Sequence, residues 1–182
     1  MIFVIVIFLV IIFVIVLFSF PQFSPIPYFP SNIKDMKNII QALHLKNNQV
    51  VFDLGAGDGI VIFKAAEEAF KRKLDTKFVA VEINPVLICI LYVRKLLHPN
   101  KRNIKVVYGD MFTMDLSRLT FHVSRSTFYL YISPWHLEKT VANIRRQFKQ
   151  CSIISYMYPV KNLKKSQVNK KGVHPVYRYE SY

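Results

Sequence analysis

A turn with three alternating glycines, within residues 53–59, separates a short apolar run from a helical pattern. Glycine allows tight turns and positive φ, and it lets a ligand approach the backbone closely. The run over 49–54 predicts a buried strand, and the apolar spacing after the turn predicts a helix over 59–71. This strand, turn and helix constrain the chain to an α/β fold more strongly than any other feature.

Strand and helix patterns alternate along the rest of the chain. Strands are predicted over residues 77–81, 104–108, 127–132 and 151–157, with a weakly alternating edge strand over 173–180. Helices are predicted after Ser31 as the capping residue, over 85–97 and over 136–148. The order predicts a Rossmann-like α/β domain, a parallel sheet with helices on both faces. The 85–97 helix is apolar on nearly every side, which predicts deep packing or contact with a membrane.

Residues 1–20 are almost purely apolar, with Ser19 as the one polar residue. As a helix this segment would rise about 30 Å, the thickness of a hydrocarbon core, so it predicts one transmembrane helix before the domain. A cleaved signal peptide is the alternative, but no basic residue precedes the run and no small-residue cleavage site follows it. The proline-rich residues 21–30 predict a stiff linker, which leaves 31–182 as the domain.

The charge balance is strongly basic, with 25 Lys and Arg against 11 Asp and Glu, for a net charge of +14. Such a chain favours anionic partners, which include a lipid surface, nucleic acid or an acidic protein face. A lysine-rich genome is the alternative explanation. Lys34 and Lys37 follow the apolar segment, so the positive-inside rule predicts a domain on the cytoplasmic or mitochondrial matrix side. Cys89 and Cys151 are far apart and lack metal-ligand spacing, so no metal site is expected.

Three acidic positions follow three predicted strands. Parallel α/β sheets bind ligands at the carboxyl ends of their strands. Asp53 lies there beside the glycine turn, Glu82 can accept two hydrogen bonds from a ribose diol, and Asp110 can meet an adenine edge. Together these residues predict a nucleotide-type site.

The glycine spacing restricts which nucleotide this site binds. A dinucleotide fold requires a glycine three residues after Gly57, where this chain has Ile60, and no Walker lysine pattern is present. Asp53 and Asp58 flank the turn and suit a ligand without phosphates, such as one that carries a sulfonium cation and an amino group.

This combination resembles the class I, seven-stranded S-adenosylmethionine-dependent methyltransferases. The resemblance implies S-adenosylmethionine as the cofactor, with its methionine part near the glycine turn, its ribose at Glu82 and its adenine between Asp110 and Met111. The residues so assigned to cofactor binding are Asp53, Gly55, Ala56, Gly57, Asp58, Glu82, Asp110 and Met111.

Further motifs are similar to those of the membrane-anchored protein-lysine methyltransferases, whose mitochondrial members modify the ATP synthase c-subunit and the adenine nucleotide translocase. These motifs lie at 27–31, 53–59, 81–85, 131–134 and 172–180. The chain departs from that family at Ile60, where arginine is usual, and at 158–161, which lacks the family's aromatic-proline-tryptophan pattern. Both departures concern the acceptor rather than the cofactor.

The resemblance implies in-line methyl transfer to the neutral amine of a lysine in a protein substrate, at a membrane bound through residues 1–20. Tyr131, Ser133 and Pro134 are the predicted catalytic residues, and Tyr28 and Trp135 the predicted substrate residues; core or loop packing is the alternative for each. RNA methylation would use the basic charge, although a membrane anchor argues against it and against nucleic acid as a partner. Two further hypotheses are methylation of a lipid or quinone and a non-catalytic cofactor-binding module.

Overall fold

The computed structural model describes residues 2–19, 29–121 and 123–181, which centre on one mixed sheet. Its strands are β1 (Gln49–Leu54), β2 (Thr76–Glu82), β3 (Ile104–Tyr108), β4 (Arg125–Leu130), β5 (Cys151–Tyr156), β6 (Gln167–Asn169) and β7 (Val176–Ser181). Their spatial order is β3-β2-β1-β4-β5-β7-β6. The first five strands pair in parallel, and β7 runs antiparallel to β5 and β6.

Helices cover both faces of the sheet, as predicted. The described helices are α1 (Ile2–Ser19), α2 (Met36–Leu43), α3 (Ile60–Lys71), α4 (Pro85–Leu97) and α5 (Pro134–Gln147), with short 3-10 turns at Ile33–Asp35, Lys101–Asn103 and Ser117–Leu119. α1 does not cover the sheet, because its apolar side chains are exposed. α2, α3 and Leu91 of α4 share one apolar core, and α5 packs in the core on the opposite face. The Rossmann-like prediction is therefore confirmed.

The central strand β1 is buried along its whole length because helices cover it on both sides. Successive side chains of a strand point to opposite faces. Val51 accordingly packs in the α3 core, while Val50 and Phe52 pack in the α5 core, where Phe52 stacks on Phe128 at a ring-centroid distance of 4.8 Å. This two-sided burial explains the unbroken apolar run.

Strand order reverses between β1 and β4, because β2 and β3 extend the sheet to one side and β4 and β5 to the other. Open α/β sheets form their ligand crevice at such a switch point, beyond the carboxyl ends of the strands. The glycine turn follows β1 at this point, and Glu82 ends β2 beside it.

Two local predictions are wrong. Ser31 does not cap the first helix of the domain; the side chain of Asn32 accepts the Lys34 N–H instead and begins the 3-10 turn before α2. Residues 173–180 do not form an edge strand, because the three-residue β6 pairs with the outer side of β7. β6 is short and mostly exposed, so it has no apolar period to reveal it.

The transmembrane prediction is not supported. Within the described ranges, no helix is both long enough and apolar enough to cross a membrane. Of the predicted linker, the structure describes only Phe29 and Pro30.

Asp35 connects the beginning of the domain to its end. Its carboxylate accepts hydrogen bonds from the Tyr156 hydroxyl at 2.6 Å and from the N–H groups of Val173 and His174 at 2.7 and 3.0 Å. Burial opposes ionisation of Asp35, but these bonds outweigh it and lower its pKa. One buried carboxylate thus joins the turn before α2, β5 and the segment that leads into β7.

Gly59 is expected to be intolerant of a side chain, because it precedes α3 as its N-cap residue with a φ of +78°. A Cβ there would lie 2.5 Å from Leu91 Cδ2 and 2.7 Å from Phe63 Cε2. Gly59→Ala should lower the free energy of unfolding by roughly 2 kcal/mol or more in urea denaturation. Gly55→Ala is the matched control, with a φ of +76° but its nearest contact at the flexible Met111 Cε, 3.3 Å away. Equal losses of unfolding free energy in the two variants would show that the contacts with Leu91 and Phe63 do not destabilise Gly59→Ala.

Candidate active site

A pocket opens at the carboxyl ends of β1, β2 and β4, where the predicted acidic residues meet. Four carboxylates line it, those of Asp53, Asp58, Glu82 and Asp110. Within the part of the chain that the structure describes, no lysine, arginine or histidine lines the pocket. In a chain of net charge +14, this acidic lining marks a site for a cationic ligand.

Glu82 is held rigidly at the floor of this pocket. Its Oε2 accepts the Gly57 N–H at 2.8 Å, and its Oε1 accepts the N–H groups of Ile83 and Asn84 at 2.8 and 2.9 Å. A carboxylate oxygen has two lone pairs. Oε1 therefore has both of its lone pairs in use, whereas Oε2 has one left to accept a bond from a ligand hydroxyl. The geometry joins the glycine turn to the end of β2 and suits a ribose hydroxyl.

Asp53 lies deeper, buried at the end of β1. Burial raises the pKa of Asp53 to about 8, the charges of Glu82 and Asp58 add to the shift, and a hydrogen bond from the Ile62 backbone opposes it. At neutral pH without ligand this carboxyl is therefore mainly protonated. A cationic group in the pocket would favour its ionised form.

The other two carboxylates are more exposed and have partners. Asp58 forms an ion pair with Arg94 of α4 at 2.7 Å, which neutralises one of the four acids at the pocket rim. Asp110 accepts the Phe112 N–H at 2.9 Å and the Thr113 hydroxyl at 3.2 Å, and so it shapes the loop after β3. Among the described residues, no group of three His, Cys, Asp or Glu side chains is arranged to hold a metal ion.

Aromatic and hydroxyl groups form the end of the pocket near Phe29 and Pro30. The Tyr129 hydroxyl bonds the Ser31 hydroxyl at 2.8 Å. Burial raises the pKa of Tyr129 and of Tyr131, so both phenols stay neutral. This end is apolar and uncharged, with its two phenols beside the acidic floor.

A family model described as ribosomal RNA adenine dimethylase matches residues 28–159, well over half of the chain. The chain belongs to this methyltransferase family. The match includes the glycine turn, Glu82, Asp110 and Tyr131, and therefore every strand that contributes to the pocket.

Two relatives of this methyltransferase have names that describe the methylation of lysine in proteins. The ATP synthase c-subunit lysine N-methyltransferase of Xenopus laevis is 22% identical over 156 residues, which cover 85% of this chain and 63% of the relative. The protein-lysine N-methyltransferase of Saccharolobus islandicus is 32% identical over 100 residues, 52% of this chain and 56% of the relative. The chain thus spans less than two thirds of the length of either relative.

The fold has a solved counterpart in the RNA methyltransferase from Salinibacter ruber in complex with S-adenosylhomocysteine. The TM-score is 0.69 at 20% identity, and the likeness covers 84% of this chain and 93% of the other. With the family match, this confirms the predicted class I methyltransferase domain. The pocket fits the predicted cofactor, S-adenosylmethionine, because its floor is acidic and its turn is made of glycines with positive φ.

The methyltransferase pocket brings most of the predicted site residues together. Those that line it are Asp53, Gly55, Ala56, Gly57, Asp58, Glu82, Asp110, Met111 and Tyr131. Ser133 and Pro134 lie instead at the start of α5, outside the lining, and the Trp135 side chain there is 80% exposed. Tyr28 lies outside the described residues. The individual roles of these residues remain predictions.

Several residues that line the pocket were not predicted from the sequence as part of it, among them Ser31 and Tyr129. Ser31 was predicted to cap a helix, and Tyr129 was counted only as part of a strand. The available signal was the period of β4: Tyr129 and Tyr131 are two residues apart and so lie on one face of the strand. The Ser31–Tyr129 bond joins positions 98 residues apart and left no local pattern.

Glu82→Gln is expected to weaken S-adenosylmethionine binding by roughly tenfold or more, because the amide has one fewer acceptor oxygen and loses the charge. Its NH₂ group would also face the N–H donors that now bind the carboxylate. Equilibrium dialysis with labelled cofactor measures the change. Glu67→Gln, on the solvent side of α3, is the matched control. Equal affinity in the Glu82 variant and the wild type would remove Glu82 from the site.

Proposed function

We propose that this methyltransferase transfers the methyl group of S-adenosylmethionine to the Nε atom of a lysine in a protein substrate. The observation that carries the proposal is the pocket lining, which has acidic side chains, two neutral phenols and, among the described residues, no basic side chain. An acceptor that approaches as a cation is attracted to such a pocket, whereas a phosphate is repelled.

The apolar end of the pocket explains how a lysine would become reactive. The ammonium form cannot accept a methyl group, because it has no free electron pair. Contact with Phe29, Pro30 and the phenols of Tyr129 and Tyr131 would remove water and lower the amine pKa, since burial disfavours the charged form. The proton then leaves to solvent before transfer, and no dedicated general base is required.

The other role of the site is to position the cofactor and the acceptor. When bound, S-adenosylmethionine supplies an electrophilic methyl group on a sulfonium sulfur. Asp53, Gly55 and Gly57 are proposed to hold its methionine part, Glu82 its ribose, and Asp110 with Met111 its adenine. Fixed geometry between the donor and the amine then supplies most of the acceleration. Tyr131 would orient the acceptor, with Ser133, Pro134, Trp135 and Tyr28 assigned to its approach.

The names of the relatives support a lysine acceptor. Both relatives, from Xenopus laevis and Saccharolobus islandicus, are named lysine N-methyltransferases. Since the chain spans only part of either relative, their substrates are a guide to the acceptor class and not to the individual protein. A lysine within a membrane-associated protein is the acceptor we propose.

Membrane association through residues 1–20 is the second part of the proposal, with residues 21–30 as a linker and 31–182 as the domain on the cytoplasmic or mitochondrial matrix side. α1 supports it, because its large apolar side chains from Ile2 to Phe13 are exposed. Lys34 and Lys37 follow this segment, and by the positive-inside rule they favour a domain on the cytoplasmic or mitochondrial matrix side.

RNA is the second candidate acceptor. The matching family is described as ribosomal RNA adenine dimethylase, the Salinibacter ruber neighbour is an RNA methyltransferase, and the net charge of +14 suits phosphates outside the pocket. The acidic pocket favours lysine over a base, because the amino group of adenine carries no positive charge to attract.

Acceptor labelling distinguishes these two acceptors. Membranes from cells that lack this protein are incubated with the purified chain and methyl-tritiated S-adenosylmethionine, and then protein, RNA and lipid are separated. We expect label in protein, recovered as methyl-lysine after acid hydrolysis, and markedly less label with the Glu82→Gln variant. Label in RNA alone would favour the second candidate, and label in lipid or quinone alone would contradict both. Cofactor binding without label in any fraction would indicate a non-catalytic module.

A further inference from the structure

The outward side of α4 is apolar, the reverse of what a surface helix normally presents. We name as the α4 outer face the exposed residues Cys89, Ile90, Tyr92, Val93, Leu96 and Leu97. Leu87 and Leu91, one turn apart, are the buried residues of the helix. The sequence left deep packing and membrane contact as alternatives for α4, and the structure excludes deep packing.

The polar residues of α4 do not lie on this outer face. Arg94 and Lys95 are half-buried on its flanks, and Arg94 is directed to Asp58 at the pocket rim. Leu97, by contrast, is 83% exposed and Leu96 is 67% exposed. Contiguous apolar surface of this kind marks an interaction site in a folded protein.

We propose that the α4 outer face lies on an anionic lipid surface. The charge around it determines this choice of partner. From position 85 to position 109 the chain has five basic residues and no acidic residue. Lys101, Arg102 and Lys105 are exposed in the turn and edge strand that follow α4. Apolar side chains enter the headgroup boundary while such basic residues contact anionic headgroups.

The α4 outer face lies next to α1 and close to the active site. α1, whose apolar side chains are also exposed, contacts α4, so the two helices form adjoining apolar surfaces. α4 also begins at the active site, because Ile83 and Leu87 line the pocket. A lipid-bound α4 therefore holds the pocket beside the membrane. This inference goes beyond the proposed function, which assigns lipid contact to residues 1–20 alone.

Cys89 provides a direct test, because it is exposed on the α4 outer face while Cys151 is buried. An environment-sensitive dye is attached to Cys89 in the full chain. The protein is mixed with vesicles of phosphatidylcholine alone or of an equal mixture with phosphatidylglycerol, each with a nitroxide quencher in the acyl chains. We expect a blue shift and quenching that are strong with anionic vesicles and weak with neutral ones.

Variants separate the α4 outer face from α1. Val93→Gln with Leu96→Gln should reduce quenching of the Cys89 dye, whereas Phe70→Gln, an exposed apolar residue of α3, should leave it unchanged. Lys101→Gln with Arg102→Gln should weaken anionic vesicle binding by roughly fivefold for each charge removed.

Vesicle co-sedimentation without quenching at Cys89 would overturn the proposal and leave lipid contact to α1. A blue shift that needs no vesicles and grows with protein concentration would overturn it in favour of self-association. Neither result depends on which acceptor is methylated, so failure here is distinct from failure of the proposed function.

Discussion

Asp53→Asn is expected to stabilise the ligand-free protein and yet weaken cofactor binding by roughly tenfold or more. Burial raises the pKa of Asp53 to about 8 from an ordinary value of 3.8, so the site is unfavourable to the charged carboxylate without a ligand. Asparagine cannot ionise, so Asp53→Asn removes the free-energy cost of burying a charge. It also removes the charge that would face the amino group and sulfonium of S-adenosylmethionine.

The pH dependence of stability follows from the direction of this shift. Between its unfolded and folded pKa values, Asp53 holds a proton in the folded state that the unfolded chain has released. Its contribution to stability therefore falls as pH rises, by about 1.4 kcal/mol per pH unit, and levels off above about pH 8. Urea unfolding at several pH values should show the advantage of Asp53→Asn widening over this window.

A matched control and a second measurement sharpen the test. Asp75→Asn removes an exposed carboxylate and controls for the loss of one negative charge. Calorimetry in buffers of different ionisation enthalpy should show that wild type releases protons on cofactor binding near pH 7, and that Asp53→Asn releases fewer. Parallel stability curves for wild type and variant, together with no proton release, would contradict the account of Asp53.

Asp35→Ala is expected to lower the free energy of unfolding by roughly 3 kcal/mol or more, because it leaves one buried and two partly buried donors without their acceptor. Those donors are the Tyr156 hydroxyl and the N–H groups of Val173 and His174. The lowered pKa of Asp35 means that its contribution is present above an ordinary pKa of 3.8 and is lost as pH falls through the folded value.

Tyr156→Phe is the matched comparison for Asp35, because it removes one of the three hydrogen bonds and leaves the carboxylate in place. We expect a loss of about 1 kcal/mol in the same urea denaturation series. Equal losses for Asp35→Ala and Tyr156→Phe would show that the bonds to Val173 and His174 do not stabilise the fold.

The cofactor end of the site could be predicted because it is local in sequence. The glycine turn follows its strand directly, and Glu82 and Asp110 follow theirs, so topology alone brings them to one edge of the sheet. The spacing of the glycines also excluded a dinucleotide before any geometry was known.

The acceptor end could not be predicted in the same way, because distant segments form it. Ser31 meets Tyr129 and Asp35 meets Tyr156 across 98 and 121 residues, and no period or motif encodes such pairs. α4 shows a related difficulty, because a helix that is apolar on every side could be either buried or lipid-facing. Only the structure distinguishes these positions, since it buries just two leucines of α4.

The central claim is that the acidic pocket at the ends of β1, β2 and β4 binds S-adenosylmethionine. Equilibrium dialysis of the purified chain against labelled S-adenosylmethionine tests it most directly, with S-adenosylhomocysteine, ATP and NAD as competitors. We predict saturable binding at one site per chain that S-adenosylhomocysteine displaces and the two phosphate-bearing nucleotides do not. No saturable binding by folded protein, or displacement by NAD in preference to S-adenosylhomocysteine, would contradict it.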